Sequence, residues 1–122
     1  MLSNILVLSM SDYKPDKWLM VQLTNKDNVS HYRIFACWYG GFTGNDSWKL
    51  NSGVTKITED EHSYYFKGSS GSVYDCNKHS YGISGYGDGV LNRLIEKNKD
   101  TVSIEILPEE TSFMGLNYEK EN

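Results

Sequence analysis

At 122 residues and a formal net charge of −4, the chain fits one compact domain, and residues 1–122 are expected to fold as a unit. An apolar share of 39 % and an aromatic share of 13 %, with nine tyrosines and three tryptophans, argue against disorder in its body. Charge divides unevenly, six Lys/Arg against four Asp/Glu over residues 1–58 and six against twelve over 59–122; without a basic stripe, direct nucleic-acid binding is not expected.

The apolar run over residues 5–8 is too short to cross a bilayer or to form a signal-peptide core, and no basic residue precedes it. The expectation is a cytoplasmic protein with no membrane partner. Residues 5–9 and 18–23 read as the first two strands, separated by turn chemistry that ends in Pro15. After the turn at residues 25–28, residues 31–39 are largely apolar on both alternating faces, with Tyr32, Ile34, Ala36 and Trp38 on one and Arg33, Phe35, Cys37 and Tyr39 on the other. That pattern belongs to a central strand covered on both sides.

A glycine-rich loop over residues 40–46 carries Phe42, an aromatic with no apolar neighbours in sequence beyond glycine. Short strands follow over residues 47–50, 54–58, 63–67 and 72–76, with turns between them, a spacing that predicts an antiparallel meander. One segment has helical periodicity: Val90, Leu91, Leu94 and Ile95 share a face, predicting a helix over about residues 89–98 with Asp88 as its N-cap. Val102, Ile104 and Ile106 then alternate as a half-buried strand that Pro108 terminates. Beyond it, Phe113, Met114 and Leu116 can dock as a short strand or turn.

The expected class is α+β: mainly antiparallel sheet or a partial barrel, with one helix in the C-terminal half. A single helix cannot cover both faces of so many strands. Either the sheet curls, or one face stays open as a binding surface rich in tyrosine. Edge strands can also pair between two copies to give a homodimer.

No catalytic motif emerges. Residues 68–89 hold six of the eleven glycines together with Tyr74, Tyr81 and Tyr86, but no Walker lysine or dinucleotide fingerprint. The glycines of residues 85–89 expose amides that can bind an anion, although Asp88 would repel phosphate; turns and a capped helix entry explain the segment more simply. Cys76 and His79, with Asp75 adjacent, have the residue types of a thiolate–imidazole nucleophile, set against a buried thiol beside a surface histidine. His62 with Glu59 and Glu61 reads as a solvated turn before it reads as a metal site. Cys37 and Cys76 are expected as thiols rather than a disulfide in a cytoplasmic chain. No cofactor and no metal are expected.

The block SWKLNSGVTKITEDEHSYYFKGSSGSVYDCNKHSYGISGYGDGVL, residues 47–91, resembles small accessory proteins encoded by tailed bacteriophages and related mobile elements. The likeness rests on a strand carrying W-K-x-N-S-G, followed by a Gly/Ser/Tyr-rich segment. It implies a small non-catalytic protein that binds and blocks a host protein, a component of antiviral defence being one such target. On this reading Phe42, Tyr64, Tyr65, Tyr74, Tyr81 and Tyr86 are the contact residues, because exposed aromatics dominate interface hot spots. The alternatives are a small-ligand or nucleotide-signal binder built on residues 68–89, and a cysteine-dependent enzyme.

Overall fold

The structure, a computed structural model, describes residues 11–118. The strand expected over residues 5–9 lies outside them. Among the described residues, seven strands form two antiparallel sheets, and one α-helix covers the larger sheet. The four-stranded sheet contains β1 (Lys17–Asn25), β2 (Ser30–Trp38), β3 (Ser47–Leu50) and β7 (Val102–Ile106), in the order β3-β2-β1-β7. The smaller sheet is a meander of β4 (Val54–Glu59), β5 (Ser63–Gly68) and β6 (Val73–Asn77). The helix, α1, spans Gly85–Asn98.

The α+β class expected from the sequence is the one observed. The partial barrel is not: both sheets are open. The covering problem is solved in a third way, by layering. In β1 and β2, Leu19, Val21, Leu23, Phe35 and Cys37 face α1 and pack on Val90 and Leu91. Their alternate neighbours Trp18, Met20, Ile34 and Ala36 face the smaller sheet and pack on Phe66, Tyr74 and Cys76. Helix, large sheet and small sheet thus make three layers. β1 and β2 form the wall common to both cores, which is why their two faces are equally apolar.

Trp18 sits at the centre of the inter-sheet core, 1 % exposed. Its ring meets Tyr81 edge-on at 4.7 Å and lies 5.4 Å from both Phe66 and Phe113. Its indole N–H donates to the Asn77 carbonyl at 2.7 Å, so the one polar atom of the ring is satisfied inside. The docked C-terminal turn expected from Phe113 is a 3-10 turn over Phe113–Gly115, and the Tyr118 hydroxyl ties it down by donating to the Phe113 carbonyl.

Beside β2, one edge of β1 is shared between two segments. β7 pairs with Val21 to Asn25, while residues 80–82 run parallel to the start of β1, with Trp18 N–H donating to the Ser80 carbonyl and Gly82 N–H to that of Trp18. The Tyr81 hydroxyl closes the junction: it accepts from Met20 N–H and donates to the Leu107 carbonyl. Asn51 does comparable work where β3 ends. Its side-chain oxygen accepts from Ile34 N–H at 2.8 Å and so extends the ladder past the last strand residue.

The helix begins four residues earlier than its periodicity predicts. Ser84, not Asp88, is the N-cap, its hydroxyl accepting from Gly87 N–H at 3.0 Å. Asp88 lies in the first turn, where its charge suits the positive end of the helix. Three glycines among its first five residues disguised it, since glycine disfavours helix by about 1 kcal/mol each. Gly87 is required by packing: a Cβ there would run into Cys37 Sγ.

Candidate functional site

The aromatic residues divide sharply between interior and surface. Tyr74 is 2 % exposed and Tyr65 8 %; Tyr64 and Tyr81 pack against the inter-sheet core. Burial pushes the hydroxyl pKa of Tyr74 up to about 12 and raises that of Tyr81. For Tyr65, burial acts with a hydrogen bond to the Asp60 carboxylate, again to about 12. Of the six aromatics expected as contact residues, Tyr65 and Tyr74 are thus buried and Tyr64 and Tyr81 half-buried. The tyrosine-rich open face does not form, because the smaller sheet turns Tyr64 and Tyr74 toward the inter-sheet core, while Tyr65 on its outer face is largely covered.

Phe42 and Tyr86 remain outside, with Phe42 fully exposed at a loop tip and Tyr86 46 % exposed. Phe42 lies in a 3-10 turn over Gly41–Thr43, which Gly44 closes in the left-handed region at φ 73°. The stem is held by Asp16, which accepts from Tyr39 N–H, and by Asp46, which accepts from Gly40 N–H. The loop thus presents Phe42 to solvent from a stem that two hydrogen bonds fix.

Tyr86 belongs to a groove of about 340 Å³ between β3 and α1, lined by Trp48, Tyr86, Val90, Arg93, Leu94 and Lys97. Trp48 is 36 % exposed and stacks on the buried ring of Phe35, centroids 5.5 Å apart and planes 14° off parallel. The stack fixes the indole so that its outer face stays presented. Arg93 and Lys97, one helical turn apart, line the same groove, and the ion pairs among the described residues join other groups. The outer edge of β3 has no strand partner among the described residues. Sequence reasoning missed Trp48 because its strand also fits an ordinary half-buried pattern, and missed that it shares a groove with Arg93 because β3 and α1 are far apart in the chain.

The cysteine chemistry finds no support in the geometry. Cys76 is fully buried on the inner face of β6, and burial pushes its thiol pKa well above the ordinary value, away from thiolate formation. His79 is exposed in the turn after β6, its backbone N–H held by the Asn77 side chain, and no hydrogen bond joins it to Cys76 among the described residues. Cys37 and Cys76 are free thiols in different cores, one facing α1 and the other between the sheets. His62 is exposed 4.0 Å from Glu61, while Glu59 is engaged by Lys78 at 2.6 Å. No cluster of three metal-ligating side chains occurs among the described residues. No helix among them is long and apolar enough to cross a membrane.

Comparison with protein families, with curated proteins and with solved structures found no match to this chain.

Proposed function

We propose that this chain is a non-enzymatic binding protein that engages a partner protein through the groove between β3 and α1. The observation that carries the reading is the meeting there of two exposed aromatics, Trp48 and Tyr86, with two cations that no described carboxylate neutralises, on a chain of net charge −4. Aromatic anchors beside Arg are the usual composition of interface hot spots. The unpaired edge of β3 offers backbone groups to an added strand. The fitting occupant is an extended segment of the partner that carries acidic residues for Arg93 and Lys97 and an apolar side chain for the groove. The resemblance of residues 47–91 to phage accessory proteins extends the proposal to a host protein as the partner and to inhibition as the consequence.

The test is capture from a bacterial lysate by the tagged chain, run beside a Trp48→Ala/Tyr86→Ala variant and an Arg93→Glu/Lys97→Glu variant. Truncating a hot-spot aromatic costs about 2 kcal/mol or more, so retention of the specific partner should fall at least about thirtyfold in the first variant. In the second, retention should fall and lose its salt dependence. Equal retention by all three chains, or no stoichiometric partner of the wild type, sinks the reading.

A further inference from the structure

The outer face of the smaller sheet, turned away from the core, carries a second and larger groove of about 460 Å³, lined by Asp12, Lys56, Ile57, Thr58, Tyr65, Lys67, Gly71 and Val73. Its size falls in the range of about 300–1,000 Å³ common for small-molecule sites. Strand register explains how it is assembled. Lys56 stands directly opposite Lys67 across β4 and β5, Thr58 opposite Tyr65, and Val73 opposite Lys67 on the other side. Tyr65 and Val73 thus share this face with Lys56 and Lys67, which neighbour each other across the two strands.

Like charges placed directly opposite on neighbouring strands are destabilising. The ion pairs among the described residues involve neither lysine. Asp12 shares the groove's lining, and Asp60 and Asp75 border it. Asp12 accepts from Val73 N–H at the β6 edge, Asp60 is bonded to the Tyr65 hydroxyl, and Asp75 stands opposite Tyr65 on the β6 side. The groove is consequently polarised, with Lys56 and Lys67 across β4 and β5, Asp12 and Asp75 along β6 and Asp60 at the turn between β4 and β5.

From this arrangement we infer that the outer face of β4-β5-β6 binds a small aromatic anion, with its phosphate or carboxylate between Lys56 and Lys67 and its ring over Tyr65 and Val73. Two cations suit a single anionic group; a polyanion would need a longer basic track than this acidic chain provides. The site is separate from the groove between β3 and α1, and its residues contribute nothing to that one.

Amide chemical shifts of the full chain provide the test, with adenosine monophosphate and anilinonaphthalene sulfonate as probes and inorganic phosphate as the charge-only control. Both aromatic probes should shift the amides of Lys56, Lys67 and Val73, and should bind at least about tenfold more tightly than phosphate. A Lys56→Gln/Lys67→Gln variant, whose remaining spectrum shows that it is folded, should weaken both by about tenfold. The inference is overturned if neither aromatic probe moves these amides, if the variant binds as well as the wild type, or if phosphate binds as tightly as the aromatic anions. It is overturned equally by magnetisation transfer from residues 1–10 to Tyr65 in the free chain, since the groove would then be filled by the chain itself.

Discussion

The hydrogen bond from the Tyr65 hydroxyl to Asp60, 2.8 Å long, shows how one tyrosine is held down on the outer face of the smaller sheet while its polar tip stays satisfied. Asp60 also accepts from the His62 and Ser63 amides, and these bonds, Tyr65's foremost, hold its carboxyl below the ordinary aspartate value. The two partners are thus shifted apart, and the sign of each effect on stability follows. Asp60 has a depressed folded pKa, so its contribution is present above pH 4 and is lost as pH falls through the folded value. Tyr65 has a raised folded pKa, so its contribution is present below pH 10 and is lost as pH rises through about 12. Tyr65→Phe should cost about 1 kcal/mol at neutral pH. It should also flatten stability at both extremes, as denaturant titrations across the pH range will show; an unchanged acid limb would mean the Tyr65 bond does not govern Asp60. None of this was visible in the sequence. A tyrosine in a strand fits either face, and whether a second sheet covers that face depends on residues elsewhere in the chain.

Among the elements, the seven described strands were legible because their alternation or apolar runs match the pleat, and observed boundaries lie within two residues of those expected. β2 in particular announced its central place through two apolar faces. The start of α1 was hidden because local preference and tertiary packing conflict there: Gly85, Gly87 and Gly89 weaken the helix, and Gly87 is kept by contact with Cys37. Gly87→Ala should therefore destabilise the protein by about 1–3 kcal/mol through overpacking, in spite of the better helix former. Adding Cys37→Ala should relieve the clash. In a double-mutant cycle followed by thermal unfolding, Gly87→Ala should cost less in the Cys37→Ala background than in the wild type. An equal cost in both backgrounds would remove the contact as the reason for this glycine.

For the molecule as a whole, layering makes β1 and β2 the shared wall of two cores, and the cores cannot be lost separately. Leu91→Ala beneath the helix and Phe66→Ala between the sheets should each cost about 2–5 kcal/mol. Each should also lower the unfolding transitions seen by helix signal and by aromatic signal together. Separate transitions in either variant would show that the two layers hold on their own. At this scale the sequence carried class and element order but not the split into two sheets. Nor did it disclose either groove, because Trp48 with Arg93, and Lys56 with Lys67, are brought together only by sheet register and helix placement.

The shared edge of β1 has a consequence for the order of events as the chain is made. Trp18 and Met20 find their partners at Ser80, Tyr81 and Gly82, with 61 residues separating Met20 from Tyr81, and the rest of the edge waits for β7. A nascent chain that has delivered only β1 to β3 presents an open edge and two uncovered apolar faces. Native pairing of β1 is completed only after Ile106 has left the ribosome, and until then the most apolar strands of the protein are also its most adhesive.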